Sequence, residues 1–392
     1  MVSLRELYSD YRDAVKNKSH NPDYVAFDLH RCANLNKLRD DIEQRTLRPT
    51  SSAYVVFSPV IREVYSADIA QCTVEHRLER RLRPLIEKDI NPRVFNNRIG
   101  MGLDRALNCL AEDIFELSNG YTEDCYVAVA DLSGYFPNAN QDRSYNILKK
   151  LLLDADIESD LKDELIYLLR MSIYFNARAS ERRCPAQDWL RVPPNKSLMN
   201  KPEGVGAAPG KIIMQIAMTY YHDEVIKWLL SCGVRVTVYG DDFAFVFKNK
   251  EQFLNLIMPE FRARMEAIGC LVHKKKFYCQ HYSKGARFCS QIVKPDRIYP
   301  GNRTVYNFFR KIRYWNRRVS IKNVERMVSS LDSYFGILRN RQGYAILRRG
   351  YESLNPKWKT FVELREHKNI LGLRPGFKHN ELICKIHNLN LV

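Results

Sequence analysis

The stretch Val234–Phe247, VRVTVYGDDFAFVF, decides how the rest of the chain is read. Val234, Val236 and Val238 alternate with Arg235, Thr237 and Tyr239, and Phe243, Phe245 and Phe247 alternate beyond the interruption at Gly240-Asp241-Asp242. A period of two in β-branched and aromatic residues predicts two strands joined by a tight reversal. Gly240 suits that reversal, because it takes the positive φ that tight turns require. Asp241 and Asp242 do not suit a purely structural turn: adjacent carboxylates repel and gain nothing from burial. A divalent cation would relieve that repulsion, and hard oxygen ligands suit Mg²⁺. A tetrapeptide recurs by chance, so the reading needs a second, independent feature.

Asp131 supplies it. The residue ends an apolar strand, Tyr126–Ala130 (YVAVA), where a charge is out of place unless it faces a site. Standing alone it reads as a strand-end cap or turn former. Together with Asp241 and Asp242 it gives three strand-end carboxylates, enough to hold two metal ions about 3.5–4 Å apart for in-line phosphoryl transfer.

The flanking sequence mixes helices and strands without βαβ regularity, which predicts an α+β class. Residues 3–50 read as two helices, with a cap at Asn34. Ser52–Ile61 reads as one strand leading into Arg62-Glu63-Val64, and Ser66–Asp89 as a helix bent at Pro84. Residues 91–102 are turn-rich, and helices are expected at Leu103–Leu117, Arg143–Leu153 and Leu161–Ile173. The proline-rich segment 177–210 reads as loop, and Lys211–Leu230 as one long helix.

The chain has 392 residues, 45% apolar and 11% aromatic, with 62 Lys and Arg against 45 Asp and Glu, a net charge of +17. That composition excludes a disordered or collagen-like chain and predicts two or three subdomains. No apolar run approaches the ~18 residues of a membrane span, and the first residues lack the apolar core of a secretory signal. A cytoplasmic protein without membrane contact is expected. The ten cysteines include no Cys-x-x-Cys pair and read as small hydrophobes. His273, Cys279, His281 and Cys289 match no structural zinc spacing.

Residues 301–350 hold twelve Lys or Arg against Glu325 and Asp332, with eight aromatics interleaved. The aromatics read first as core. An ordinary solvated face mixes both signs, however, so the charge imbalance points to a polyanion. A second basic stretch, His76–Arg83, reads the same way. Gly204–Pro209 fails as a dinucleotide fingerprint, since Pro209 stands where the third glycine belongs. His222-Asp223-Glu224 reads as the polar end of a helix.

Taken in order, Asp131-Leu-Ser-Gly-Tyr-Phe136, Gly206-Ala-Ala-Pro-Gly210-Lys-Ile-Ile-Met-Gln215 and Tyr239-Gly240-Asp241-Asp242 resemble the palm of a reverse transcriptase. Arg62-Glu63-Val64 and Arg98-Ile-Gly100-Met-Gly102 resemble fingers motifs of bacterial retroelement enzymes. Lys284–Gln291 resembles their primer grip, and Ser333-Tyr-Phe-Gly336 a thumb signature. The resemblance is collinear from about residue 30 to 350. It implies a right-hand polymerase with an antiparallel palm sheet: fingers over 1–125, palm over 126–298 with an insertion around 175–205, and a basic helical thumb and tail over 299–392.

What the resemblance implies about the site follows residue by residue. Asp131, Asp241, Asp242 and the backbone carbonyl of Leu132 would hold two Mg²⁺ ions, for which Mn²⁺ can substitute. Phe136, Arg62, Pro209, Gly210, Gln215 and Lys276 would bind the incoming dNTP. Arg62 would meet the triphosphate, with Arg98 a weaker candidate, and Lys276 would protonate pyrophosphate. Against these roles, Arg62 reads equally as a partner for nearby acids and His273–Lys276 as a solvated turn. RNA-dependent RNA polymerases share Tyr-Gly-Asp-Asp but carry a ribose-binding Asp where this chain has Phe136, so the implied product is DNA.

The nearest subgroups are diversity-generating retroelement enzymes and defence-associated reverse transcriptases. Met214 stands in place of their Ser and Pro209 in place of the retroviral Gln. Those departures favour an antiviral enzyme copying a dedicated noncoding RNA, with DNA product, dNTPs and a partner protein or second copy as its other contacts. A diversity-generating enzyme with an accessory protein is the second reading, and a non-catalytic nucleic-acid binder the third.

Overall fold

Side-chain caps set where the helices begin. Ser3 accepts from the Glu6 N–H, Asn21 from Asp23, Asp68 from Gln71 and Asn140 from Arg143, each satisfying a donor that a first helical turn leaves open. The computed structural model describes residues 2–16, 21–57, 61–174, 176–208, 211–339, 342–365 and 370–374. Helices and strands are mixed, as the α+β expectation has it. Two compact units emerge, each assembled from separate stretches of chain. The first takes Met1–Gly102, Ala130–Asp241 and Lys250–Phe277; the second takes Leu103–Val129, Asp242–Asn249 and Tyr278–Val392.

The first unit starts with three helices, Leu4–Ala14, Pro22–Leu29 and Arg31–Glu43, where two were expected. Leu4–Ala14 packs on the long helix Ile69–Asp89, which keeps Pro84 inside it. This contact corrects the reading of His76–Arg83 as a face for polyanions. Arg77 is buried against Glu164 (2.7 Å), Glu6 (3.3 Å) and Asp10 (3.5 Å). Arg80 pairs with Asp10 and Asp13, Arg81 with Glu6, and Arg83 with Glu79 and Glu87. Acids of the first helix, of the same helix and, through Glu164, of the helix Ser159–Ile173 thus neutralise the stretch.

The expected strand Ser52–Ile61 proves to be the first of an antiparallel pair. Ser51–Val56 runs against Arg62–Ala67, with Tyr54 opposite Val64, and Glu181–Arg182 lies parallel to the first strand. Residues 58–60 lie outside the described residues. Glu63 is buried and accepts from Ser197 Oγ, the Leu198 N–H (2.8 Å) and the Tyr65 hydroxyl (2.7 Å), tying this pair to the proline-rich segment.

The expected helix Lys211–Leu230 is two helices, Ile212–Thr219 and Asp223–Ser231, parted at Tyr220-Tyr221-His222. Lys211 is buried 3.9 Å from Glu75. Burial pushes the Glu75 carboxyl up, against the pull of Lys211 and the Ile213 N–H.

The strand Tyr126–Ser133 runs through both units. Its second half pairs with Leu271–Val272 in the first unit. In the second unit its first half pairs with Tyr278–His281 on one edge and neighbours Asp242–Phe247 on the other. The second unit adds the antiparallel strands Ala286–Phe288, Gln291–Lys294 and Arg297–Pro300. Three helices follow, Asn302–Asn316, Val324–Arg339 and Tyr344–Glu352, around a core that includes Phe308, Ile312, Trp315, Met327, Leu331 and Phe335. The interleaved aromatics therefore divide: Phe308, Trp315 and Phe335 face this core, while Tyr306 is 61% exposed and Tyr314 44%. Among the described residues no helix is long and apolar enough to cross a membrane.

Candidate active site

The turn between the two predicted strands forms as the sequence indicates. Arg235–Tyr239 ends, Gly240 takes φ +65°, and Asp242 begins the next strand. Residues from the turn-rich segment hold the turn. The Phe95 N–H donates to the Val238 carbonyl (3.0 Å), the Val238 N–H to the Arg93 carbonyl (2.9 Å), and the Gly240 N–H to Asn96 Oδ1 (2.9 Å). Asn96 was not singled out in the sequence, where nothing distinguishes it from its neighbour Asn97.

Asp131 is brought to this turn from a distant part of the chain. The N–H of Leu132, the next residue, donates to the Asp241 carbonyl at 2.9 Å. The Asp131 carbonyl accepts from the His273 N–H (2.8 Å), and Lys276 Nζ lies 2.7 Å from Asp131 Oδ2. The basic run His273–Lys276 is therefore more than a solvated turn, since it delivers a cation to the carboxylate. Burial raises the pKa of Asp241; the negative charge of Asp131 raises it further and Lys276 offsets part of the shift. In the second unit, Asp242 Oδ2 accepts from Cys289 Sγ at 3.4 Å.

Phe136 sits on a loop closed by backbone hydrogen bonds. Its carbonyl accepts from the Ala207 N–H (2.8 Å) and the Ala139 N–H (3.2 Å), while the Gly206 N–H donates to the Ala139 carbonyl (2.8 Å). Gly206 has φ +108°, a conformation that favours glycine, and a Cβ there would come within 2.8 Å of the Leu198 side chain. The segment that begins at Asp131 and the Gly206 segment are thus in backbone contact.

The remaining candidates are more dispersed. Arg62 is exposed at the start of its strand and forms no ion pair among the described residues. Arg98 is engaged by Glu87 (3.2 Å) and by the carbonyls of Asn91 and Val94. Gln215 is half-buried on the helix Ile212–Thr219. Leu132 is buried, opposite Val272 in register. Pro209 and Gly210 lie outside the described residues.

The carboxylates offer hard oxygens, and an ammonium group already stands at Asp131 as a cation would. The donor chemistry therefore fits a divalent ion. Among the described residues, no three His, Cys, Asp or Glu side chains converge as a ready-made cage. The same holds for the zinc cluster considered in the sequence: His281 Nε2 lies 3.2 Å from Asp124, and His273 Nδ1 accepts from the Lys275 N–H.

No protein-family model matches the chain, and no curated protein does. Among solved structures, the apo telomerase of Candida tropicalis aligns with a TM-score of 0.51 at 9% identity, over 79% of this chain and 58% of that one. Telomerase of Candida albicans in complex with a TWJ fragment of telomeric RNA aligns at 0.49 and 12% identity, over 86% and 59%. A C. tropicalis telomerase truncated from its C-terminal domain aligns at 0.46 and 9%, over 64% and 55%. The chain spans less than two thirds of the length of each. The first alignment shows a common fold with the C. tropicalis telomerase.

Proposed function

We propose that the chain is an RNA-directed DNA polymerase with a right-hand plan, its fingers over 1–125, palm over 126–298 and thumb over 299–392. The observation that carries this reading is the meeting of Asp131 with the Gly240-Asp241 turn through the Leu132 N–H. That bond joins the residue after Asp131 to Asp241, whose next residue is Asp242. Asp131, Asp241, Asp242 and the Leu132 carbonyl would hold two Mg²⁺ ions, or Mn²⁺ in their stead. Bound there, the metals supply Lewis-acid activation of the primer hydroxyl and charge neutralisation on the leaving pyrophosphate.

The chain's own residues do the rest. Phe136, anchored through its carbonyl to Ala207, presents a bulky ring where a ribose 2′-hydroxyl would lie and so selects dNTPs. Arg62, exposed and without an ion-pair partner among the described residues, reaches the triphosphate; Pro209, Gly210 and Gln215 line the nucleotide site. Lys276 leaves Asp131 and passes a proton to pyrophosphate as the bond from the α-phosphorus to its bridging oxygen breaks. The exposed arginines of Asn302–Asn316 hold the template–product duplex.

The template is a dedicated noncoding RNA and the setting bacterial antiviral defence, a reading that rests on Met214 and Pro209. Sequencing nucleic acid that copurifies with wild-type and Asp241→Ala protein tests it. DNA with the wild type alone, complementary to one noncoding RNA, is expected. RNA without DNA in both samples would favour a non-catalytic binder. DNA copied from a repeat near the gene would favour the diversity-generating role.

A further inference from the structure

Tyr220-Tyr221-His222, where the expected long helix breaks, contains no glycine or proline to account for the break. The side chains of Tyr221 and His222 instead run to the segment around Phe136. The Tyr221 hydroxyl donates to the Asn140 carbonyl (2.6 Å) and lies 2.7 Å from Ser144 Oγ. The Arg143 guanidinium stands 4.9 Å over the Tyr221 ring. His222 is 0% exposed, and its ring stacks on Tyr135 with centroids 5.5 Å apart.

The Tyr135 hydroxyl has one proton and gives it to the Met218 carbonyl at 2.9 Å. Its oxygen therefore accepts from His222 Nε2 at 3.1 Å, which assigns the Nε2–H tautomer. The neutral ring needed for that tautomer agrees with its burial, which pushes the imidazole down to about 3. Phe136 in turn rests edge-on against Tyr135, centroids 5.4 Å apart at 63°. A continuous stack, His222 on Tyr135 on Phe136, thus joins the helix break to the ring assigned to sugar selection.

We propose that His222 is a positioning residue for sugar selectivity: through the Tyr135 hydroxyl it fixes the ring against which Phe136 rests, and so sets how strictly a ribose is refused. This rests on the reading of Phe136 as the group that excludes a 2′-hydroxyl. The hydrogen bond pins the Tyr135 hydroxyl and so restrains tilting and sliding of the ring; without it Phe136 gains room to retreat from a 2′-hydroxyl. Losing a buried hydrogen bond of this kind should relax discrimination by about tenfold.

The experiment measures kcat/KM for dTTP and for UTP on a poly(rA) template with an oligo(dT) primer and Mg²⁺. It uses the wild type and the variants Phe136→Ala, His222→Leu, His222→Gln and Tyr135→Phe, with Tm recorded for each. Expected is a dTTP/UTP ratio about tenfold lower in His222→Leu and Tyr135→Phe, through a lower KM for UTP with kcat for dTTP kept. His222→Gln, which retains a donor, restores much of the ratio. An unchanged ratio in Tyr135→Phe, beside a relaxed ratio in Phe136→Ala, overturns the role of His222 and leaves the Phe136 reading standing. An unchanged ratio in Phe136→Ala removes that reading and the proposal with it. A lowered Tm with an unchanged ratio marks the stack as merely structural, and Tyr135→Phe decides should His222→Leu fail to fold.

Discussion

The neighbourhood of the Gly240-Asp241 turn and the helix Asn302–Asn316 are both rich in polar groups and aromatics, but they use them in opposite ways. Around the turn, polar atoms answer one another: Leu132 with Asp241, Gly240 with Asn96, Lys276 with Asp131, His222 with Tyr135. On the helix, Arg303, Arg310 and Arg313 are exposed at intervals of seven and three residues, with Tyr306 and Tyr314 among them, and the helix carries no acid. The first arrangement is pre-organised, so each group depends on its neighbours. The second is a field of like charge whose elements act nearly independently. One therefore suits chemistry and the other suits holding a polyanion of any sequence.

The sharpest way to break this contrast is to remove one carboxylate. Asp241→Asn keeps the shape of the side chain and, on the proposed metal-binding role, should reduce nucleotide incorporation by about 10³-fold or more, since a carboxylate that held the metals would be worth several kcal/mol and each 1.36 kcal/mol is tenfold. Primer extension under single-turnover conditions measures it, and incorporation at the wild-type rate would remove the assignment.

Lys276→Ala separates two roles of one side chain. On the proposed role of Lys276 as proton donor to pyrophosphate, its loss should lower kcat by about 10²-fold. The same change frees Asp131 from its ammonium partner, so half-saturation by Mg²⁺ should fall about two- to threefold, the modest effect of a partly exposed ion pair. Titrating Mg²⁺ against rate gives both numbers; a fall in kcat with unaltered Mg²⁺ dependence would show that the ion pair does not compete with the metal.

His222 gives a pH signature. Its folded pKa lies near 3 against about 6.5 unfolded, because burial disfavours the charged ring. The unfolded chain therefore binds a proton that the folded chain refuses as pH falls below 6.5. The stability linked to this group is full above pH 6.5 and is lost as pH falls through the window toward 3. Between pH 6.5 and 5 the loss should approach about 2 kcal/mol, and His222→Gln should flatten that part of the curve of unfolding free energy against pH. Parallel curves for the two proteins would mean that the ring titrates normally.

How much of this was legible in the sequence depends on whether the cause was local. The strands on either side of Gly240 and the positive φ of Gly240 itself are period-two and turn-chemistry signals, and they could be read directly, whereas the strand expected to end at Asp131 runs on to Ser133. The break at Tyr220-Tyr221-His222 could not. Lys211–Leu230 has helical apolar spacing and no breaker, and the interruption comes from bonds to Asn140, Ser144 and Tyr135, supplied by the chain some eighty residues earlier. The role of His76–Arg83 was misread for a similar reason. A basic run looks unpaired in sequence when its acids, Glu6, Asp10, Asp13 and Glu164, lie far away along the chain. The contact between the Phe136 loop and the Gly206 segment is of the same long-range kind, since it is made by backbone groups some seventy residues apart.

The smallest expected effects belong to the basic helix, and their size is what distinguishes it. Changing Arg303, Arg310 or Arg313 singly to Gln should weaken binding of an RNA–DNA duplex only about two- to threefold near physiological salt, with no loss of Tm, since all three side chains are exposed. Each change should reduce the slope of log K against log salt by about 0.7–0.9, the share of one phosphate contact. The triple variant should lose about three times that slope and the product of the three affinity factors, because separate phosphate contacts release their counterions separately. Fluorescence anisotropy across a salt series measures both quantities. Additive slopes would confirm a distributed field. A single arginine that matched the triple variant would instead reveal a local, pre-organised contact on this helix, and the distinction between the two regions would collapse.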